Sequence, residues 1–394
     1  MHGDKKKVCF VIQRYGKEVN GGAETLCREL AERLTDKYEV EVLTTKAIDY
    51  MTWKDEYSSD EEEICGVKVR RFSVSRLRHR KPFNLINRIF KEGLLPTFME
   101  NRWLISQGPV VPGLIDFIKE HKDDYRAFVF MTYLYYPTVK GLPEVAEKSV
   151  FLPLAHDEPF LRMKMFEPIF TKTKAFFFET QEERDLVFKK FKCDHIPYKF
   201  GGSGVEVPDK VCGDDFKKKY ELENYIIYAG RIDDGKNCKE LFEFFLKYKE
   251  THSDDLKLVL IGKAVIDIPE ALDIVPLGFV SEQDKFDGMA GAKLLVLPSK
   301  FESLSIVVLE AFSLGKPVLV NGECEVLKGH CDKSGGGLYY TDYEGFEKGL
   351  TTLLSDPSLR EEMGEKGKSY VNERFNWKVI CDNLSEMIEY ASEN

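Results

Sequence analysis

Several features that would assign this chain of 394 residues to a membrane, secreted or metal-dependent class are missing from it. It has no run of 18 apolar residues, so we expect no membrane span, and its N-terminus, MHGDKKKVCFVI, lacks the apolar stretch of a signal peptide. The nine cysteines are scattered and show no C-x-x-C spacing, which is typical of a reducing cytoplasm. No Asp-x-Asp occurs, so the usual carboxylate clamp for a metal-bound phosphate is missing. We therefore expect a cytoplasmic globular protein.

A metal site is also not predicted elsewhere in the sequence. Cys324, His330 and Cys331 lie close together, but a fourth ligand and the usual zinc spacing are missing. We interpret these residues as ordinary thiols and an ordinary histidine, and we expect neither a metal nor a cofactor.

Acidic residues are missing from one basic segment, Lys68–Lys91, which holds nine Lys/Arg although the whole chain carries a net charge of −10. Five apolar side chains interleave with its cations: Phe83, Leu85, Ile86, Ile89 and Phe90. The pattern is typical of a patch for an anionic membrane surface or an anionic acceptor, and equally of a solvated basic face. Nucleic acid is disfavoured, because the strongly acidic remainder would repel it.

Apolar runs separated by helical patterns predict the fold. The length suggests two domains, and alternating strands and helices predict parallel sheets covered by helices on both faces. The predicted strands are Val8–Ile12, Glu39–Leu43, Phe128–Met131, Val150–Leu154, Ala175–Phe178, Tyr225–Ala229, Leu256–Ile261, Ile274–Leu277, Leu294–Pro298 and Pro317–Val320.

The glycine- and proline-bearing stretch at 200–208 separates the two domains. We predict an α/β fold of two doubly wound, Rossmann-like domains facing a cleft. The first covers residues 1–205 and is completed by a C-terminal helix at 376–394, and the second covers 206–375. The stretch from Ile48 to Gly108 is poorly periodic and stays unassigned.

The segment FESLSIVVLEAF, residues 301–312, is the most informative stretch. We predict that a helix follows the strand before it, with Glu302 and Glu310 about 12 Å apart along the axis. The amides of Ser303, Leu304 and Ser305 would form the helix N-terminus, which favours anions. In this layout the anion-binding amides lie between two carboxylates, which is the arrangement that a bound nucleotide sugar would require.

Three further polar loops follow predicted strands, where ligands bind in doubly wound sheets. Asn20-Gly21-Gly22 lies before the first helix, and two glycines allow close backbone approach, although a plain tight turn is an equal interpretation. His156 follows the strand Val150–Leu154 and could bond a sugar hydroxyl or serve only the structure. Arg231 and Lys236 follow Tyr225–Ala229, and two fixed cations can neutralise a diphosphate leaving group without a metal.

The chain resembles retaining glycosyltransferases of family GT4, which have the two-domain GT-B fold. The resemblance rests on the order and spacing of four motifs: the glycine loop, Ala155-His156-Asp157-Glu158, the segment Gly230–Asn237 and the Glu302/Glu310 pair. The resemblance covers the chain from about Lys7 to the last helix. It implies a catalytic role for His156, Lys236 and Glu302. It also implies donor-binding roles, which fall to Gly21, Gly22, Arg231, Lys236, Val280, Glu302, Ser303, Leu304, Ser305 and Glu310.

More specifically, the resemblance implies that Arg231 and Lys236 hold the donor diphosphate and that Glu310 accepts the ribose hydroxyls. Val280 would contact the base through its backbone, and His156 would meet the donor sugar. Asp233 and Asp234, beside these cations, depart from a purely basic loop and could reduce the benefit of the cations.

We therefore expect a retaining, metal-independent hexosyltransferase that uses a UDP- or GDP-sugar and a glycan or lipid-linked acceptor in cell-surface polysaccharide biosynthesis. Peripheral attachment to the inner face of the membrane is left open. A sugar-nucleotide epimerase or a phosphorylase of the same fold is an alternative. A nicotinamide-dependent dehydrogenase is a remote one, since the first loop lacks the G-x-G-x-x-G pattern. The donor base and sugar, the acceptor and the oligomeric state stay undetermined.

Overall fold

The computed structural model describes residues 6–19, 21–78, 80–91 and 97–393. Asn20 of the glycine loop and His79 of the basic segment lie outside the described residues. The chain divides into two compact units, of which the first is Met1–Gly202 with Ile380–Asn394 and the second is Ser203–Val379. The corresponding boundaries predicted from the sequence lie after residues 205 and 375.

The first unit is built on an eight-stranded sheet in the order β3-β4-β2-β1-β5-β6-β7-β8. The strands pair in parallel, except that β3 is antiparallel to β4. The strands are β1 Lys7–Val11, β2 Glu39–Thr45, β3 Glu61–Ile64, β4 Val67–Phe72, β5 Ala127–Met131, β6 Ser149–Leu152, β7 Ala175–Phe178 and β8 Tyr198–Phe200. The order along the sheet reverses between β1 and β5, so the loops after these two strands flank the switch point of this unit.

Continuous burial explains why the strands at the centre of this sheet could be found from sequence. Every residue of β5 (AFVFM), β6 (SVFL) and β7 (AFFF) is buried. A parallel sheet covered on both faces selects such apolar runs. The five strands predicted for this unit are confirmed to within two residues at each end.

The unassigned stretch from Ile48 to Gly108 contains β3 and β4, and charge explains why they were missed. In β4 (VKVRRF) buried and half-buried residues alternate. Arg70 donates to Glu41 of β2 at 2.9 Å and also pairs with Glu61 of β3. Arg71 is buried and pairs with Glu62. The charges of β4 therefore belong to cross-strand ion pairs, although its sequence is also typical of a solvated basic patch.

The helices of the first unit are α1 Gly22–Leu34, α2 Arg80–Lys91, α3 Glu100–Gln107, α4 Pro112–His121, α5 Tyr136–Gly141, α6 Glu167–Lys172 and α7 Gln181–Phe191. Short 3-10 helices lie at Thr97–Met99, Lys122–Asp124, Leu142–Lys148, Pro159–Arg162 and Lys164–Phe166. The last helix of the chain, Trp377–Ser392, is numbered α15, and its residues from Ile380 onward belong to this unit. Its Asp382 pairs with Lys37 at 2.6 Å, and Asn383 donates to the carbonyl of Phe200 at 3.0 Å.

The second unit is built on a six-stranded parallel sheet in the order β11-β10-β9-β12-β13-β14. The strands are β9 Tyr225–Ala229, β10 Lys257–Ile261, β11 Ile274–Gly278, β12 Leu295–Leu297, β13 Val318–Asn321 and β14 Gly337–Tyr340. This order is that of a dinucleotide-binding fold, and the switch point lies between β9 and β12. The five predicted strands are confirmed, and β14 was missed because three glycines (335–337) lead into it.

The helices of the second unit are α8 Gly213–Tyr220, α9 Cys238–Thr251, α10 Glu282–Gly291, α11 Ile306–Ser313, α12 Glu325–Ser334, α13 Tyr343–Ser355 and α14 Pro357–Arg374. The predicted fold class, α/β with two doubly wound parallel sheets, is confirmed. Of the helices in the described part of the chain, none is both long and apolar enough to cross a membrane.

Candidate functional site

An ion pair joins two of the predicted loops at the switch point of the second unit. The Lys236 ammonium donates to Glu302 Oε1 at 2.7 Å, although the two residues are 66 positions apart. Lys236 follows β9 and Glu302 follows β12, so the pair sits where ligands bind in this fold. Asn237 supports the same contact, because its side-chain amide donates to the carbonyl of Pro298 at 3.2 Å. The structure thus brings together two residues that the sequence could only place on separate loops.

Asp233 organises the cationic loop after β9. Its carboxylate accepts the backbone N–H of Lys236 at 2.8 Å and also the Arg231 guanidinium. Burial alone would raise the pKa of Asp233, but these two donors outweigh it and the pKa is lowered. Asp234 instead pairs with Lys239 at 2.9 Å. The carboxylate that seemed to oppose the cations therefore fixes their positions, and the Arg231 side chain stays 63% exposed.

Two glycines allow the loops after β9 and β10 to touch. Gly262 has φ +135°, and a Cβ built on it would lie 1.9 Å from the carbonyl oxygen of Gly230. Gly230 itself has φ +153° and donates its N–H to the carbonyl of Ile261 at 2.9 Å. No other residue type fits Gly262 without moving the Gly230 backbone. The contact between the Gly230 and Gly262 backbones thus fixes how far the Arg231–Lys236 loop lies from the end of the sheet.

The helix predicted over the segment 301–312 starts later than expected. α11 begins at Ile306, and Ser305 before it adopts a left-handed conformation with φ 62°. The carbonyl of Leu304 accepts a hydrogen bond from His330 Nε2 at 2.7 Å, which removes it from the helical ladder. The prediction that the amides of Ser303, Leu304 and Ser305 form the helix N-terminus is therefore wrong, because these residues form an irregular loop before it.

The same correction applies to the spacing of the two carboxylates. Glu302 lies in the loop and Glu310 on α11, so the separation of about 12 Å along a helix axis does not apply. Both side chains are nevertheless largely buried, with 11% of each exposed. Neither glutamate is therefore an exposed residue on the solvated face of a helix.

Lys285, which sequence reasoning did not single out, holds Glu310. Its ammonium donates to Glu310 Oε1 at 2.7 Å from α10. Burial raises the pKa of Glu310, and the neighbouring Lys285 opposes that rise. A carboxylate held in this way keeps one oxygen for a second hydrogen bond, which is what recognition of a hydroxyl group requires.

Two buried hydroxyls at this switch point have no partner among the described residues. Ser299, the second residue after β12, is fully buried, and Ser305 directly before α11 is 7% exposed. Neither Oγ makes a hydrogen bond to a described residue. Buried polar atoms are normally paired. Unpaired donors beside Glu302 therefore indicate a place for a ligand or ordered water.

A cavity of about 370 Å³ opens beside these loops, at the carboxyl ends of β9, β10 and β11. Its lining is largely apolar and includes Ile232, Ala264, Pro276 and Phe279. Val280 follows Phe279 and packs its side chain against the core instead. An apolar slot next to a cationic loop suits a flat ring attached to a phosphate chain.

In the first unit, the glycine loop caps α1. Gly21 precedes the helix, and a Cβ on it would lie 2.1 Å from Glu24 Oε2. The Glu24 carboxylate folds back there and accepts hydrogen bonds from Gln13 and Arg14, each at 2.9 Å. Gly22 differs, because a Cβ on it would meet nothing within 4 Å. Internal packing thus explains Gly21 but leaves Gly22 unexplained.

His156 is exposed in the loop after β6, and a buried carboxylate holds the backbone beside it. Glu183 Oε1 accepts the N–H of Ala155 and Oε2 accepts the N–H of Glu179, each at 2.8 Å. Burial raises the pKa of Glu183 to about 8, with a contribution from Glu179, and burial raises the pKa of Glu179 to about 7. Sequence reasoning missed Glu183, because it lies in the charged run ETQEERD.

Comparisons with known proteins agree with this geometry. Residues 214–370 match the family described as glycosyl transferases group 1. This part of the chain is similar to a group 1 glycosyltransferase domain. The recognition of a GT4-type glycosyltransferase from the sequence is confirmed.

Curated relatives match part of the chain. An uncharacterised glycosyltransferase of Methanocaldococcus jannaschii is 29% identical over 185 residues, which are 43% of this chain and 46% of the relative. An alpha-1,3/1,6-mannosyltransferase of Dictyostelium discoideum is 25% identical over 232 residues, which are 57% of this chain and 48% of the relative. The chain spans about half the length of the curated relatives that it matches.

Solved structures match over the whole length. A trehalose-6-phosphate synthase from Burkholderia multivorans gives a TM-score of 0.72 at 10% identity, covering 98% of this chain and 97% of that one. At this identity the likeness shows the fold alone. The predicted GT-B architecture is confirmed.

Within the glycosyltransferase domain, the predicted residues Arg231, Lys236 and Glu302 form one connected group, and Glu310 is held separately by Lys285. Gly21, Gly22 and His156 lie on the other unit, after β1 and β6. The cleft between the domains, and the roles of all these residues, stay predictions. Sequence reasoning missed Lys285, Ser299 and Gly262, which carry no motif of their own.

The basic segment Lys68–Lys91 is divided by the structure. Lys68, Arg70 and Arg71 pair with carboxylates in the sheet. Phe83 and Ile86 pack against the core of the first unit rather than facing outward. Arg76 and Arg88 are exposed. Among the described side chains the segment is therefore less cationic at the surface than its sequence suggests.

Proposed function

We propose that this protein transfers a hexose from a UDP- or GDP-sugar to a glycan or lipid-linked acceptor, with retention of configuration and without a metal. The observation that carries the proposal is the Lys236–Glu302 ion pair at the switch point, with Arg231 beside it. This group belongs to the part of the chain that matches the glycosyl transferases group 1 family. The proposed setting is cell-surface polysaccharide biosynthesis in the cytoplasm, at the inner face of the membrane.

Donor binding follows from the charges and the cavity. Arg231 and Lys236 would bind the diphosphate, and the apolar cavity lined by Ile232 and Pro276 would take the base, with the Val280 backbone at its edge. Glu310 would accept the ribose hydroxyls through the oxygen that Lys285 leaves open. Glu302 would contact the transferred sugar, with Ser303, Leu304 and Ser305 binding its hydroxyls and phosphate. From the first unit, Gly21 and Gly22 would approach the diphosphate, and His156 would contact the sugar.

The reaction would proceed on one face of the donor sugar. The bond between the anomeric carbon and the phosphate oxygen breaks, and the acceptor oxygen bonds to the same carbon from the same side. The acceptor proton passes to the leaving diphosphate. Arg231 and Lys236 would stabilise the negative charge that develops there, which is usually a large contribution to catalysis. The protein otherwise positions the two substrates.

A donor panel tests this proposal. Purified protein is mixed with UDP- and GDP-hexoses in the absence of metal, and the melting temperature is measured. A donor at 100 times its Kd adds about 2.7 kcal/mol of stability. Because one relative is named a mannosyltransferase, GDP-mannose belongs in the first set beside UDP-glucose. Each donor that shifts the melting temperature then enters a nucleotide-release assay.

Two variants make the panel specific to the site. Glu310→Gln should bind the stabilising donor more weakly, whereas Glu344→Gln, an exposed carboxylate on α13, should not differ from wild type. If no sugar nucleotide stabilises the protein but NAD does, a dehydrogenase replaces the proposal. Isomerisation of the donor without acceptor would indicate an epimerase, and dependence on inorganic phosphate a phosphorylase.

A further inference from the structure

A second, larger pocket lies in the second unit away from the residues described above. It has a volume of about 600 Å³ and lies between the starts of α8 and α14 and the loops that enter β12 and β13. Four of its lining residues are cations: Lys217, Lys293, Lys316 and Arg360. Asp214 and Glu361 also line it and are exposed. Four cations against two carboxylates leave the lining with a net positive charge of two.

The three lysines of this lining lack a carboxylate partner among the described residues. In the described part of the chain, none of them lies within ion-pair distance of an acid, although many other lysines of this unit do, such as Lys219 with Asp284 at 2.8 Å. Lys217, Lys293 and Lys316 are all half-buried. Burial and the nearby cations Lys217, Lys293 and Arg360 lower the pKa of Lys316. Unpaired like charges around one cavity raise the free energy of the folded protein, and a bound anion would lower it again.

The backbone adds to the positive potential. α8 begins at Gly213 in the wall of this pocket without a side-chain cap, so its first amides and its dipole favour an anion there. A Cβ on Gly213 would lie 2.5 Å from the backbone N of Gly291, so close packing of α8 on α10 requires glycine here. Arg360 is held in place because its guanidinium donates to the carbonyl of Leu354 at 2.9 Å.

A simpler explanation accounts for each lysine alone. Lys293 and Lys316 follow the C-terminal ends of α10 and α11, and Lys217 lies in the last turn of α8, where cations stabilise helix carbonyls. That explanation does not require the three lysines and Arg360 to face one cavity. The binding experiment below separates it from a ligand site.

We propose that this pocket binds a phosphate-bearing ligand with at least two negative charges. Lys293 and Lys316 lie before β12 and β13, at the amino ends of the parallel strands, whereas Lys236 and Glu302 lie after the carboxyl ends of β9 and β12. The length of β12 with its flanking residues is on the order of 15 Å. One diphosphate cannot reach both places, so this is a second site. Its phosphate belongs either to a soluble metabolite or to a lipid headgroup.

Titration calorimetry with pyrophosphate and inorganic phosphate tests the soluble source. We expect the double variant Lys293→Gln/Lys316→Gln to weaken pyrophosphate binding at this site at least tenfold. Lys218→Gln, the adjacent exposed lysine on α8, serves as the matched control and should bind like wild type. Lys236→Ala separates the two sites, because it should leave this binding intact even if pyrophosphate also occupies the proposed donor site.

Sedimentation with vesicles of phosphatidic acid in phosphatidylcholine tests the lipid source, and the same double variant should lose any binding that depends on the pocket. Lys293→Arg/Lys316→Arg should retain binding in whichever assay wild type binds, which shows that charge rather than fold was lost. If the double variant does not fold, Lys217→Gln carries the test. Unchanged binding of both probes by a folded variant, or no binding of either probe by wild type, overturns the proposal.

Discussion

Lys236 and Glu302 form an ion pair at 2.7 Å across the switch point of the second unit, with most of the Glu302 side chain buried. In this arrangement Glu302 holds the ammonium over the carboxyl ends of β9 and β12 before any ligand arrives. A pre-positioned cation needs little reorganisation when a diphosphate leaves, which is the condition for effective electrostatic catalysis.

We predict that Lys236→Ala loses most turnover, by about 10²- to 10³-fold, because one fixed cation disappears from the leaving group. Nucleotide release with the donor found in the panel is the measurement. Lys239→Ala is the matched control, since Lys239 is three positions away and pairs with the outward-facing Asp234. Near-normal turnover of Lys236→Ala would remove this residue from the mechanism.

We predict that Glu310→Ala mainly raises the donor KM, because the proposed ribose contact is made in the ground state and the transition state alike. The change also leaves the Lys285 ammonium without its partner, so the free energy of unfolding should fall by about 1–3 kcal/mol. Glu310→Gln keeps an acceptor for Lys285 and should separate the two effects. An unchanged KM in both variants would place the ribose elsewhere.

Gly22 and Gly262 should respond oppositely to alanine. Gly262→Ala places a methyl group in contact with the Gly230 carbonyl and should destabilise the second unit strongly. Gly22→Ala starts helix α1 with open space around the new methyl, so it should leave stability unchanged or raise it by about 0.5–1 kcal/mol.

If the diphosphate approaches the glycine loop closely, Gly22→Ala should still weaken donor binding despite its stability. Melting temperature and donor KM, measured on the same preparations, report the two effects separately. A stable Gly22→Ala protein with a wild-type KM would show that the donor does not contact this residue.

The stability of the first unit should fall as the pH rises from about 4.5 to about 8. The pKa of Glu183 is about 8 in the folded protein and that of Glu179 about 7, against 4.5 for an ordinary glutamate. The folded state therefore binds more protons than the unfolded chain in this window, and its advantage is lost as these groups ionise. Thermal melting across the pH series is the measurement. Glu183→Gln should reduce the slope, and an unchanged slope would mean that Glu183 ionises normally.

Membrane attachment through the basic segment predicts a salt-dependent interaction with anionic vesicles. The exposed cations Arg76 and Arg88 would each contribute on the order of 1 kcal/mol. Arg76→Glu/Arg88→Glu should therefore abolish sedimentation with phosphatidylserine vesicles at low salt. Arg70→Gln is unsuitable for this test, because that residue holds the sheet through Glu41. If wild type does not sediment at any salt concentration, the segment does not attach the protein to an anionic membrane.

Ten strands and both parallel sheets were predictable, because most of these strands are apolar runs that can be recognised in the sequence, and β5, β6 and β7 are buried along their whole length. Of the missed strands, β3 and β4 carry charges that pair across the sheet, and cross-strand pairing cannot be recognised in one segment alone. The start of α11 was misplaced because the Leu304 carbonyl bonds to His330, a residue 26 positions away.

The sequence by itself determined ten strands in their order and the chemical character of the loops after β1, β6, β9 and β12, since local periodicity and charge can be recognised along the chain. Only the tertiary structure decided which of those side chains meet. Lys236 reaches Glu302 and Gly262 touches Gly230, because parallel strands distant in sequence end at the same edge of a sheet. Lys285 reaches Glu310 because the helices α10 and α11 pack against each other. These partners lie 66, 25 and 32 positions apart, and no local pattern records contacts at that distance.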